Sequence, residues 1–127
     1  MPTDNELDEL DRLIATQVMG WTLKHMKGFL DPHIWCAPAG GIILARNHYR
    51  PTRDPAKAIE ALEKWQDDDP DHRSIHELHR QDGHEWFVEL WICNDTGLVV
   101  GGGQGRDKSL PLAVCRALRE AMEGGEQ

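Results

Sequence analysis

Apolar residues recur at helical spacing near the start of the chain: Leu7, Leu10, Ile14 and Val18, with Leu13 beside them. The spacing predicts an amphipathic first helix, capped by Asp4 or Asn5, with acidic residues in its first turn where the macrodipole favours them. Gly20 reads as its stop, and Trp21 is placed to fold back on the helix end. A second helix is predicted after Asp54-Pro55. Aspartate is a good N-cap, proline suits the first helical position, and Ala58, Ile59, Leu62 and Trp65 line one face. Glu60 and Lys64 make an i,i+4 pair of the favourable polarity. The acidic run at residues 66–71 ends the helix as a linker.

The period then changes to two. Residues 74–80 and 85–92 read as paired strands around Gln81-Asp82-Gly83-His84, Asp-Gly being the expected hairpin dipeptide. Trp86, Val88, Leu90 and Ile92 alternate with Glu85, Phe87, Glu89 and Trp91. Asn94-Asp95-Thr96-Gly97 makes a second turn into the short apolar strand Leu98-Val99-Val100. Gly101, Gly102, Gly103 and Gly105 follow as an expected strand-to-helix connection. Ser109-Leu110-Pro111-Leu112 then opens a last helix that carries Arg116 and Arg119. Residues 22–50 are less patterned. Residues 28–32 are a turn region, residues 33–36 a short strand or an aromatic-bearing loop, and residues 40–45 another short apolar segment. The expected architecture is α+β: one domain over residues 1–127, with a small antiparallel β-sheet, a three-stranded meander, packed with about three α-helices.

Composition narrows the partners. At 127 residues, 39% hydrophobic, the chain supports one modest core. Its 22 acidic and 14 basic residues give a net charge of −8. That disfavours a duplex-DNA binder, which needs a basic face to displace counterions, but leaves room for a small anion in a locally basic pocket. No apolar run approaches the ~20 residues that cross a bilayer. The acidic, polar residues 1–12 fit neither a signal nor a transit peptide. Cys36, Cys93 and Cys115 stand apart in apolar settings, an odd, dispersed count expected of reduced, buried thiols in a cytoplasmic protein.

The candidate chemistry gathers in the last third. Glycines let backbone N–H groups point together at an anion, and a helix N-terminus adds partial positive charge. Arg106, Lys108 and Arg116 add full charges. The spacing fits neither the dinucleotide-binding nor the phosphate-loop fingerprint, and a plain flexible connection is the other reading. Arg116 either pairs with Glu120 one turn on, or uses its small neighbours Ala113 and Ala117 to offer a bidentate fork to phosphate. His72, His76, His79 and His84 would bind zinc only if three converged, and in a regular strand His76 and His79 face opposite ways. Solvated edge-strand histidines are the alternative. There is no Ser/His/Asp elbow, and Cys115 reads as packed, so no enzyme is expected. The five tryptophans are core, interface or stacking groups. Phe87, on the strand face opposite Trp86, reads as a lid or a subunit contact.

Several words recur in order along the chain: Leu10-Asp11-Arg12-Leu13-Ile14-Ala15 with Val18-Met19-Gly20-Trp21, then Tyr49-Arg50-Pro51-Thr52, then Glu85-Trp86-Phe87-Val88, and last the run from Leu110 to Leu118. In these the chain resembles the phage ABA sandwich domain proteins, some of which look like Thoeris anti-defence sponges. The resemblance implies an α+β sandwich in the cytoplasm of an infected bacterial host. It implies a homo-oligomer, dimer or larger, that sequesters a small nucleotide second messenger without cleaving it, either a cyclic-ADP-ribose-type signal or a cyclic oligonucleotide, and without a cofactor. On this reading Arg116 and Arg106 hold phosphates, Gly102 and Gly103 are backbone donors, Phe87 or Trp21 stacks or closes, and Asn94 is a further polar contact. The glycine-rich residues 100–108 and the histidine-rich hairpin depart from that pattern. Two other classes remain: an acidic protein-binding inhibitor or phage adaptor docking through residues 67–71, and a metal-dependent hydrolase.

Overall fold

Helix α1 (Asp4–Leu13) starts one residue before the expected caps. The Thr3 hydroxyl accepts from the Glu6 N–H at 3.2 Å, which leaves Asp4 and Glu6 in the positively polarised first turn. The computed structural model describes residues 3–25, 33–38, 41–45, 48–81 and 83–124; the turn expected at residues 28–32 lies outside the described residues. The helix continues as a π-turn (Ile14–Val18), in which the Met19 N–H reaches the Ile14 carbonyl at 3.1 Å. Gly20, at φ 75°, ends it, and Trp21 packs edge-on against Tyr49 with ring centroids 4.7 Å apart.

The acidic stripe of α1 fixes the segment before the next helix. Arg53 pairs with Asp4 at 3.4 Å and Arg50 with Asp8 at 2.6 Å, while the Thr52 N–H donates to Asp11 at 2.9 Å. Helix α2 (Pro55–Asp67) then begins as expected, Asp54 accepting from the Ala56 and Lys57 N–H groups. Ala58, Ala61, Leu62 and Trp65 are its buried face. The Glu60–Lys64 pair does not form. Lys64 turns to Asp68 and Glu60 to Lys57, since each side chain has a partner of opposite sign in the other direction and exposed pairs differ by only tenths of a kcal/mol.

Strands β1 (Thr22–His25), β2 (His33–Cys36) and β3 (Ile42–Ala45) form an antiparallel sheet in that order, a second sheet beyond the one expected. Each is four residues long, too short for alternation to show in the sequence. The expected meander is β4 (Arg73–Gln81), β5 (Glu85–Cys93) and β6 (Val99–Asp107). It corrects one expectation. The glycine cluster is no connection: residues 101–105 all lie within β6, paired along β5. Gly103 sits opposite Leu90 and Gly105 opposite Val88, and the last helix, α3 (Leu110–Gly124), lies directly on them.

Backbone meets backbone at that contact. A Cβ at Gly105 would stand 1.9 Å from the Ala113 carbonyl oxygen and 2.7 Å from the Ala117 nitrogen; one at Gly103 would stand 2.3 Å from the Ala117 oxygen. Ala113, Ala117 and Ala121, spaced by one helical turn, give the matching small face and are buried. Around this seam the core is filled by Ile14 and Ala15 from the π-turn, Leu62 and Trp65 from α2, Val88 and Leu90 from β5, and Val114 and Leu118 from α3. Each such large aliphatic side chain contributes about 1.5–3 kcal/mol on burial. Cys36, Cys93 and Cys115 are free thiols, the first and last buried. Burial, aided by the Asp11 charge, pushes the Cys115 thiol up and leaves it a packing group.

Candidate functional site

Two concavities hold the chemistry. The first lies between β6 and α3. Arg106 stands near the end of β6, opposite Phe87 in the ladder, with its guanidinium carbon 4.7 Å from the Phe87 ring centre and one N–H donated to Gln81 Oε1 at 3.0 Å. His79 tilts against the same ring at 5.6 Å. Phe87 is 6% exposed, covered by these side chains, and does not line the groove.

Arg116 donates to the Arg106 carbonyl at 3.0 Å and to Asp107 Oδ1 at 3.2 Å. The other Asp107 oxygen accepts the Ser109 N–H at 2.8 Å, just before α3 begins. One carboxylate thus joins the strand end, the helix start and the arginine, and the expected partner Glu120 is not used. A guanidinium has five donors in a planar fork, so two bonds on one nitrogen fix Arg116 while leaving donors for a ligand.

The groove beside these residues has a volume of about 450 Å³, and is lined by Gln104, Gly105, Arg106, Arg116, Arg119, Glu120 and Glu123. It brings together two residues expected at a ligand site, Arg106 and Arg116, and adds Arg119, which has no ion-pair partner among the described residues. Three guanidiniums face two carboxylates there. Strand β6 is the last of its sheet, so among the described residues its outer edge has no strand to pair with.

The remaining expected contacts lie elsewhere. Gly103 is buried against α3, and Gly102 lies in the ladder opposite Trp91, where a Cβ would meet the Leu90 carbonyl oxygen at 2.0 Å; neither lines the groove. They serve close packing within a strand, not an anion-binding loop. Asn94 Oδ1 accepts from the Thr96 N–H at 3.0 Å, the Thr96 hydroxyl at 2.7 Å and the Leu98 N–H at 3.0 Å, which closes the β5–β6 turn and occupies it. Trp21 is held against Tyr49.

The histidines also depart from expectation. The β4–β5 register shifts between Ile75 and Glu77. This bulge returns His76 to the face that carries His79, where it stacks on Trp91 at 3.4 Å and lies 3.6 Å from Glu89. His79 meets Glu77 at 3.2 Å. Among the described residues no group of three or more His, Cys, Asp or Glu side chains is arranged to hold a metal ion. Within the acidic linker, Asp68 pairs with Lys64 and Asp69 with His72.

The second concavity was not anticipated. It has a volume of about 330 Å³, and Asn5, Asp8, Glu9, Asp11, Arg12, Trp35, Tyr49 and Arg50 line it. Among the described residues, Trp35 Nε1 and the Tyr49 hydroxyl are buried without a hydrogen-bond partner, and Asp11 Oδ2 is buried beside the Thr52 side chain. Arg50 approaches the Asp11 oxygen only to 3.9 Å. Burial lifts the Asp11 carboxyl above the usual carboxylate range, opposed by the Thr52 N–H and hydroxyl and by the charges of Arg50 and Arg53. Asp11 was legible only as a word in the first helix, four positions after Leu7 and so on the apolar face; a carboxylate there is the signal that could have found the pocket.

Among the described residues no helix is long and apolar enough to cross a membrane. No family model matches the chain, and no curated protein or solved structure matches it.

Proposed function

We propose that this protein binds a small anionic nucleotide in the groove between β6 and α3 and sequesters it without chemistry. One observation carries the reading: in a molecule of net charge −8, Arg106, Arg116 and Arg119 line one concavity. Arginine clusters suit phosphate because the planar fork matches its geometry and the charge-assisted bonds are strong. Arg116 is already braced by Asp107, so it loses little freedom on binding a ligand. The likeness to phage ABA sandwich proteins points the same way, toward a nucleotide immune signal held in the cytoplasm of an infected bacterium. A second copy completes the proposal. Leu98, Val99 and Val100 are 66%, 49% and 47% exposed, and the last two belong to the unpaired edge of β6, so pairing through that edge would set the groove near a protomer boundary.

A sponge must be tight, and sub-micromolar capture needs more than ~8 kcal/mol. Equilibrium dialysis against cyclic ADP-ribose isomers and cyclic di- and trinucleotides tests the claim, with heat release and mass analysis of what is retained. The expected result is one class retained at micromolar protein and recovered intact. Arg106→Ala and Arg119→Ala should each weaken retention tenfold or more, and added salt should weaken it further. Failure to retain any nucleotide, or recovery of a cleaved product, refutes the proposal.

A further inference from the structure

We infer that the groove beside β6 also takes an extended peptide, added to the edge of the sheet as a further strand, with an acidic residue two positions before a basic one. The backbone of the edge carries the first half of the case. The Cys93 N–H donates to the His72 carbonyl at 2.7 Å, toward β4, and the Asn94 N–H donates to the Leu98 carbonyl at 2.8 Å, toward β6. Backbone groups alternate sides along a strand, so Leu90 and Val88 turn theirs toward β6, where Gly103 and Gly105 are their register partners. Gln104 and Arg106 therefore turn theirs outward. The Arg106 carbonyl agrees, since Arg116 reaches it from α3 at 3.0 Å. Among the described residues no strand pairs with the outward N–H and carbonyl of Gln104. Another backbone supplies both the donor and the acceptor that such a residue lacks, and strand addition is the common use of an open edge.

Charge selects the peptide. Helix α3 runs back over β6, with Ala113 against Gly105, and Ala121 and Glu120 against Gly103. One end of the groove thus carries Arg106 and Arg116, and the other carries Glu120, with Glu123 one turn further along the helix. A phosphate uses the first end and is repelled by the second, whereas a chain carrying both signs uses both. Antiparallel pairing fixes the order. A residue opposite Gln104 exchanges two hydrogen bonds with it, and its side chain points, like that of Gln104, away from α3. The residue before it lies opposite Gly105, near Arg106 and Arg116, and the residue after it lies opposite Gly103, near Glu120. Those two side chains point toward α3 and stand about 7 Å apart, close to the ~6 Å between Arg116 and Glu120 along the helix. The matching triplet is acidic, then a strand-favouring residue, then basic, as in Glu-Val-Lys. The proposed nucleotide would share Arg106 and Arg116 with this peptide, and neither occupant depends on the other.

Fluorescence anisotropy of a labelled eight-residue peptide, blocked at both ends and centred on Glu-Val-Lys, tests this on the full chain. Saturable binding at submillimolar protein is expected. The reversed centre, Lys-Val-Glu, should bind tenfold or more weakly. So should the Glu-Val-Lys peptide N-methylated at its valine, which loses the donor to the Gln104 carbonyl and keeps every charge. Glu120→Lys changes an exposed side chain. It should weaken Glu-Val-Lys binding tenfold or more, restore binding to a Glu-Val-Glu centre, and leave nucleotide retention equal or stronger. No saturable binding of Glu-Val-Lys overturns the inference, as does equal affinity for the reversed centre. Undiminished affinity of the N-methylated peptide would mean charge attraction alone and overturns it as well. Self-association of the chain with no peptide bound assigns the whole edge to a second copy, against the inference. Peptide binding with no nucleotide retained would remove the nucleotide proposal and leave this one standing.

Discussion

Gly105 sets how closely α3 can approach the sheet. The atoms that a Cβ would meet there are backbone, the Ala113 oxygen and the Ala117 nitrogen, so no side-chain rotation can relieve the overlap. Gly105→Ala must push the helix off the strand and open the Ala113–Ala117–Ala121 seam, at a cost of about 3 kcal/mol, the upper part of the range for overpacked cores. Gly41, where a Cβ meets nothing within 4 Å, is the control, and Gly41→Ala should stay within about 0.5 kcal/mol. Urea unfolding of the two variants checks both numbers, and equal stabilities would refute the close-approach account. The same residues show what one sequence conceals. Glycine has poor strand propensity, so four glycines within five residues read locally as a loop. Its meaning lies downstream, in alanines repeated at one-turn spacing on α3, and only the pair of patterns predicts a strand pressed by a helix. Arg106 and Arg116 were legible as a pair of cations near one helix start. That Arg116 would choose Asp107 over Glu120 was not, because the choice depends on where β6 ends.

At the scale of elements, His72 joins two loops. Its Nδ1 lies 2.9 Å from Asp69, after α2, and its Nε2 lies 2.6 Å from Asp95, in the β5–β6 turn. These contacts, that to Asp95 first and that to Asp69 next, push its pKa from 6.5 up to about 9. A histidine whose folded value is raised adds stability that is fully present below its unfolded pKa and lost as pH rises through the folded one. The urea midpoint is therefore expected to decline from pH 6.5 to about 9. His72→Gln should flatten the profile across that window, and a wild-type slope in the variant would show that the staple carries no charge. The hairpin that follows was legible in outline, since alternation and the Asp-Gly turn both mark it. Its bulge was not. A single inserted residue leaves no trace in composition, yet it moves His76 onto the face of His79 and undoes any argument from strict alternation. The sheet of β1, β2 and β3 was hidden for a different reason: four-residue strands draw their stability from what packs on them, and that lies far away in sequence.

The whole molecule was readable in its order, a helix, an irregular stretch, a helix, a meander and a last helix, because long periodic segments carry their own signal. Its assembly turns on an edge that the fold leaves open. Strand β6 spans nine residues at the margin of its sheet and exposes Val99 and Val100, with Leu98 just before them. Folded proteins guard such edges with charge, proline or a covering element, and here the first three apolar positions have none of these. A second copy pairing antiparallel through the same edge would cover them. Val99→Lys places a like charge on both sides of the pairing. It is expected to lower the self-association of the chain in sedimentation velocity runs relative to wild type, and position 99 does not line the groove. A wild-type chain that sediments as a monomer at micromolar concentration, with and without nucleotide, would remove the edge from the account and leave each groove to act alone.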